Sequence, residues 1–161
     1  MKRSMKAIAL FGAADVGKSS ALKTLDKQLK ELIEVSSERN IDHVTDQYLC
    51  CLSTEGVDIA TSYRLLGKVV GVVSGGGTPE AMKEDIERLE SQSKLDILVC
   101  ATRSKGKTEA FLHEMVGEEN IIWLQCPWVY PEQEYAIKMK TQSMATLLFD
   151  MLIAQIHNAT S

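Results

Sequence analysis

The pattern of apolar and polar positions divides the chain into short apolar runs and longer amphipathic stretches. Residues 7–11 (AIALF) are uninterrupted apolar positions ending at a glycine, the pattern of a strand covered on both faces. Over residues 18–35, Leu22, Leu25, Leu29, Leu32 and Ile33 recur at helical spacing with the charges opposite them, which predicts an amphipathic helix. Residues 46–52 are apolar enough for a strand but have no clear register. Residues 58–66 and 68–73 flank Gly67 and read as two strands joined by a tight turn. The second of these, KVVGVV, is β-branched and apolar throughout, which suits the middle of a sheet. After Ser74-Gly75-Gly76-Gly77, the residues Thr78, Pro79 and Glu80 supply a capping hydroxyl, a first-turn proline and an acid near the positive helix end. Met82, Ile86 and Leu89 mark the buried face of the helix so begun. Residues 95–101 (LDILVCA) predict another buried strand, 102–108 a polar basic loop and 108–116 a short helix. Residues 121–125 predict a last strand closed by Pro127. Residues 132–157 read as one long helix carrying Met144, Leu147, Leu148, Met151, Leu152 and Ile156, with a frayed tail from Asn158.

Strands alternating with helices in this way predict an α/β fold, a three-layer αβα sandwich around a mainly parallel sheet of five to six strands. The 161 residues show no linker, repeat or low-complexity stretch, so residues 1–161 read as a single domain. A hydrophobic content of 45% and a charged content of 25% exclude collagen-like, disordered and membrane classes. No apolar run approaches the roughly 20 residues that cross a bilayer. The net charge of −4 argues against a dedicated nucleic-acid binder while leaving room for a local basic phosphate site. Lys2, Arg3 and Lys6 before an apolar stretch loosely imitate a signal peptide. Gly12 interrupts that stretch and Asp15 and Lys18 follow at once, so export is not expected. Four cysteines without a CxxC pair, and histidines far apart in sequence, read as buried free thiols in a reduced, cytoplasmic protein rather than a zinc site.

One motif carries chemistry. Gly12-Ala13-Ala14-Asp15-Val16-Gly17-Lys18-Ser19 matches G-x-x-x-x-G-K-[ST], between the first apolar run and the first amphipathic helix. At average composition a chance match in a chain this long is on the order of half a percent. Gly12 lets the chain leave the strand in a turn that a side chain would obstruct. The backbone N–H groups of Ala13, Ala14, Asp15 and Val16 then form an anion nest, with the Asp15 carboxylate turned outward. Gly17 permits close approach, and the following helix contributes its positive end. Lys18 is the cation for β- and γ-phosphates, Ser19 the hydroxyl for Mg²⁺, and Ser20 a further candidate near the α-phosphate.

On these residues the chain resembles the P-loop NTPase superfamily, closely over the strand–loop–helix unit and elsewhere through the alternation of elements. The resemblance implies a P-loop NTPase type of fold, a bound nucleoside triphosphate and Mg²⁺. It also implies a second acid at a strand end to hold the metal through water. Residues 64–80 resemble the third-strand region of Ras-like small GTPases, where a hairpin leads to D-x-x-G. Gly77 falls at the glycine position and Ser74 replaces the acid. If the strand over 69–73 lies beside the first strand, Ser74 and Gly77 flank the phosphates. Asp96 is the other acid considered, but it stands near the start of its strand, whereas sites in such sheets gather at the carboxyl ends.

After the fourth strand, Thr102-Arg103-Ser104-Lys105-Gly106-Lys107 takes the place where small GTPases carry the guanine-reading N-K-x-D, which is absent. ATP is therefore the expected nucleotide and GTP the alternative. In nucleotide kinases this region forms an arginine-bearing lid. Arg103 is accordingly the candidate to stack on the base or stabilise transferring charge, against the bland reading of a solvated basic loop. Trp123, Trp128 and Tyr130 read as packing residues. Arg39, Asp42, His43 and Asp46 read as a polar surface segment or an acceptor site. Three functions follow. The first is ATP·Mg²⁺ hydrolysis or phosphoryl transfer with Lys18 and Arg103 as the active cations. The second is a small-molecule or nucleotide kinase with a short basic lid and a small-molecule acceptor. The third is a non-catalytic or GTPase-like switch acting through a protein partner.

Overall fold

The computed structural model describes residues 5–12, 17–38, 47–53, 58–75, 78–102, 107–126 and 132–160. In chain order the elements are β1 (Lys6–Phe11), α1 (Lys18–Glu38), β2 (Gln47–Ser53), β3 (Ile59–Leu65), β4 (Lys68–Val73), α2 (Pro79–Glu90), β5 (Ile97–Thr102), α3 (Lys107–Val116), a 3₁₀ turn (Glu118–Asn120), β6 (Ile121–Gln125) and α4 (Glu134–Thr160). The strands form one six-stranded sheet in the order β2-β3-β4-β5-β1-β6. The pairs β4–β5, β5–β1 and β1–β6 are parallel, while β3 runs antiparallel to both β2 and β4. The α/β class, the six strands and the largely parallel sheet agree with the sequence pattern. So do the helix and strand boundaries, to within a few residues.

Strand alternation divides the core in two. Ile8, Leu10, Val70, Val72, Ile97 and Val99 point to one face and meet Leu22, Leu25 and Leu29 of α1 and Leu148, Leu152 and Ile156 of α4. Ala7, Ala9, Val69, Val73, Leu98 and Cys100 point to the other, where Met82, Ile86 and Leu89 of α2 and Leu112 and Val116 of α3 cover them. Each face is thus buried, and strands that must be apolar on both sides lose the period-2 signature and read as continuous apolar runs. KVVGVV carries a glycine in mid-strand for a packing reason: a Cβ on Gly71 would lie 2.7 Å from Cδ1 of the buried Leu95. The β3–β4 connection is a two-residue turn in which Leu66 and Gly67 both have positive φ (51° and 83°), the geometry that matches the twist of a hairpin. Thr78 caps α2, its Oγ1 accepting from the backbone N–H of Ala81 at 3.1 Å, and Pro79 follows as the helix begins.

A polar contact joins α1 to β3 in the antiparallel part of the sheet. Asp26, nearly buried on α1, accepts hydrogen bonds from Thr61 Oγ1 (2.6 Å) and from the Tyr63 hydroxyl, both on β3, and its Oδ2 lies 3.1 Å from Lys30 Nζ. A carboxylate can be held inside because donors surround it. No helix among the described residues is long and apolar enough to cross a membrane. Of the cysteines, Cys100 and Cys126 are buried free thiols, as the sequence suggested. Burial pushes the Cys100 thiol up to about 12.

Candidate site at the carboxyl edge of the sheet

The parallel strands β5, β1 and β6 end together, and α1 begins above them. Lys18, in the first turn of α1 and half-buried, extends back over this edge. Its Nζ donates to Thr102 O at the end of β5 (2.8 Å) and to Gly12 O just beyond β1. Gly17 has φ +91°, a conformation that disfavours any side chain, and its carbonyl accepts from Ala21 N (3.1 Å) in the first turn of the helix. On the other flank Cys126 N donates to Phe11 O (2.8 Å), which fixes the exit of β6 against the end of β1. Ser19 is half-buried in the same first turn, and Ser20 is exposed, its carbonyl accepting from Thr24 Oγ1. Gly12, Gly17, Lys18, Ser19 and Ser20 are therefore together at one edge. Ala13, Ala14, Asp15 and Val16 lie outside the described residues, as do Gly77 and Arg103.

The sheet order corrects the expectation for Ser74. The strand β4 is not a neighbour of β1, because β5 runs between them. At ordinary strand spacing Ser74 is about 10 Å from the line of β1. Its hydroxyl is instead used within the antiparallel hairpin: Ser74 Oγ accepts from Ile59 N at 2.8 Å, and Ser74 N donates to Ile59 O at 2.9 Å. The residue that stands between β1 and β4 at the carboxyl edge is Thr102. It is buried, and its Oγ1 has no hydrogen-bond partner among the described residues. Asp96 sits at the opposite edge, where its Oδ2 accepts from Val69 N (2.9 Å), its N–H bonds to Val69 O and its carbonyl accepts from Lys6 N. It is a strand-end residue, as its position near the start of β5 implied.

Several residues of this edge were not singled out from sequence. An antiparallel strand begins where its parallel neighbours end, so β3 brings Asp58, just before its first residue, to the carboxyl edge. Asp58 Oδ1 is 3.5 Å from Ser74 Oγ, and a Cβ on Gly75 would lie 3.5 Å from carboxylate oxygens of both Asp58 and Asp85. Burial holds the Asp85 carboxyl above its usual range. Arg88 opposes the shift, while Glu84 and Asp58 add to it. Among the described residues no group of three or more His, Cys, Asp or Glu side chains could hold a metal ion. The other missed residue is Lys140, in the second turn of α4. A Cβ on Gly17 would meet its Nζ at 3.5 Å and its Cε at 3.8 Å. Burial raises the Cys126 thiol, and Lys140 and Lys18 both act to lower it, so the two ammonium groups share one neighbourhood. No spacing links Lys140 to residues 12–19; only the return of α4 onto α1 brings them together.

On the face of the sheet that carries α3, Trp123 of β6 makes edge contacts with Phe11 (6.0 Å between centroids) and His113 (5.4 Å), the packing role expected for it. Trp128, Tyr130 and the polar segment Arg39, Asp42, His43 and Asp46 lie outside the described residues. No protein-family model, curated protein or solved structure matches the chain.

Proposed function

We infer that this chain binds a nucleoside triphosphate, ATP with Mg²⁺, on residues 12–19 and acts on its terminal phosphate by hydrolysis or by transfer to an acceptor. On this reading the α/β sandwich is of the P-loop NTPase type. The observation that carries it is the position of Lys18. The ammonium of the G-x-x-x-x-G-K-S motif lies at the carboxyl edge of parallel strands, over the carbonyls of Gly12 and Thr102, at the N-terminus of a 21-residue helix. Backbone N–H groups, a helix N-terminus and a lysine at one point form an anion site. A lysine already held over that point loses little side-chain freedom when it trades carbonyl oxygens for phosphate oxygens.

Lys18 acts by neutralising charge on the phosphates as the terminal phosphoryl group leaves. The Ser19 hydroxyl is an oxygen donor of the kind Mg²⁺ takes, and that ion is commonly held by one or two protein oxygens together with substrate phosphates. When bound it would add further neutralisation at the same oxygens. Arg103 retains the lid role as part of the proposal. A second reading, a nucleotide-dependent switch that acts through a protein partner, is favoured by Ser74, whose hydroxyl is committed to Ile59.

The test is thermal unfolding with Mg²⁺ and a panel of nucleotides, on wild type and Lys18→Ala. Ligand at 100 times its Kd stabilises a folded protein by about 2.7 kcal/mol. Wild type should gain several degrees with ATP and the variant should lose most of that gain. No shift with any nucleotide would sink the assignment. Phosphate release on adding ATP separates turnover from the switch.

A further inference from the structure

We propose that the outer face of α4, with the adjoining end of α1, is the interface of a two-fold dimer, in which α4 runs antiparallel to α4 of a second copy of this chain. The proposal is independent of the nucleotide reading and concerns a surface that reading does not use.

α4 turns Leu148, Leu152 and Ile156 to the core. Its opposite side is not the charged face that a surface helix ordinarily presents. The exposed positions between Lys138 and Asp150 are Met139, Gln142, Ser143, Thr146 and Leu147, none of them charged. Among the described residues, five of the six exposed large apolar side chains lie on α4 or α1: Tyr135, Met139, Leu147, Leu32 and Val35. Two open hollows, of about 390 and 400 Å³, run along this face and share Thr146. Leu32, Val35 and Phe149 line the first, and Met139 and Leu147 the second. An uncharged, partly apolar strip of this length on a soluble helix marks an interaction surface.

The charges at its two ends identify the occupant. The amino end of the face is basic, with the exposed Lys138. Its other end is acidic, with the exposed Asp150 on α4 and Glu31 of α1 in the wall of the first hollow. None of these three makes an ion pair among the described residues. A face that is positive at one end, negative at the other and uncharged between them is complementary to itself reversed. A two-fold axis across α4 near residue 144 supplies that reversal, as an isologous interface requires. Lys138 and Asp150 stand equally far from that point. Each lysine therefore comes level with the partner's Asp150 and with the partner's Glu31 beside it. A parallel pairing would set lysine against lysine and acid against acid. Ser143 and Thr146, short side chains near the axis, let the helices approach to the usual interaxial distance of about 8–10 Å. Residues 135–157 span about 34 Å of helix, and α4 with the end of α1 is about 20 Å wide. That is roughly 700 Å², close to the roughly 800 Å² per partner of a stable interface.

Analytical ultracentrifugation of the full chain, from low to high micromolar concentration, tests the assignment. Wild type should pass from monomer to dimer. Leu147→Glu should weaken the dimer about a hundredfold, because each copy would bury an unpaired carboxylate, and Met139→Glu probes the same seam at a second exposed position. Lys83→Glu, an exposed change on α2 across the sheet, should leave the dimer as it is. Lys138→Glu should weaken it about tenfold, since two rim pairs are lost and like charges take their place. Adding Asp150→Lys and Glu31→Lys to Lys138→Glu reverses the whole pattern and should restore the dimer. Thermal melting of the dilute, monomeric variants checks that they are folded. A wild type that stays monomeric throughout would overturn the proposal and leave the face to a partner of another kind. A dimer that neither Leu147→Glu nor Met139→Glu weakens would also overturn it, because another face would be in use. Failure of the reversed charges to restore the dimer would overturn the antiparallel arrangement.

Discussion

Asp26 offers the sharpest test of how the motif's helix is held. Its carboxylate is about 5% exposed and accepts from Thr61 Oγ1 and from the hydroxyl of the fully buried Tyr63, while Lys30 reaches it from the surface side. Truncation to alanine leaves the Thr61 hydroxyl without this acceptor, at about 1–3 kcal/mol, and leaves the Tyr63 hydroxyl with the weaker bond to the backbone carbonyl of residue 26 at 3.3 Å. The Lys30 contact adds little, because that side chain is 41% exposed and an i,i+4 surface pair is worth only a few tenths of a kcal/mol. Relaxation around the gap offsets part of the loss, so Asp26→Ala should cost about 2–3 kcal/mol. Asp26→Asn keeps an acceptor oxygen in place and should cost about 1–2 kcal/mol. Urea unfolding followed by circular dichroism gives both values. Adding Thr61→Val to Asp26→Ala removes one stranded donor and should recover about 1 kcal/mol, a coupling that a double-mutant cycle isolates. A cost below about 0.5 kcal/mol for Asp26→Ala, or additivity of the alanine and valine changes, would refute the account of α1 as anchored through this acceptor.

Two further predictions concern the sheet and its acidic corner. Gly71→Ala places a methyl 2.7 Å from Leu95 Cδ1 and should lower stability by about 1–3 kcal/mol, with part of the loss recovered by Leu95→Val; chemical denaturation measures both, and a neutral Gly71→Ala would count against the packing reason for the glycine. Asp85→Asn should raise the melting temperature at pH 7 in metal-free buffer. A carboxyl whose pKa is raised by folding binds its proton more tightly in the native state, so its contribution to stability falls as pH rises from its ordinary value of 3.8 through the raised one. Below that window the gain from Asp85→Asn should vanish, and a gain that grows on acidification would contradict the sign. Solvent screening at this part-exposed position keeps the effect small.

Much of the fold was legible locally. AIALF, VVGVV (69–73) and ILVCA (97–101) carry no polar side chain because both faces of their strands are covered, and the leucines of α1 fall on one stripe because only one face of that helix is. Turn and cap chemistry at Gly67 and Thr78 acts over a few residues, so it too is written in adjacent letters. Of the G-x-x-x-x-G-K-S stretch, the described residues Gly12, Gly17, Lys18 and Ser19 lie at one edge of the sheet.

Strand order is different in kind. Nothing in residues 68–73 says whether that strand lies beside β1 or one place further out, because either neighbour offers the same apolar surface and the same hydrogen-bonding edge. Only the tertiary structure inserts β5 between them, which removes Ser74 from the motif's flank and puts Thr102 there. The same holds for the charges around the site. Asp58 reaches the carboxyl edge because an antiparallel strand starts where parallel ones stop. Lys140 reaches Gly17 across more than a hundred residues of sequence because α4 folds back onto α1. The α/β class and the turn and cap at Gly67 and Thr78 depend on contacts a few residues apart, so they could be read from the letters alone. What surrounds Gly12, Gly17 and Lys18 was decided by packing between distant segments, for which a single chain of letters carries no local signal.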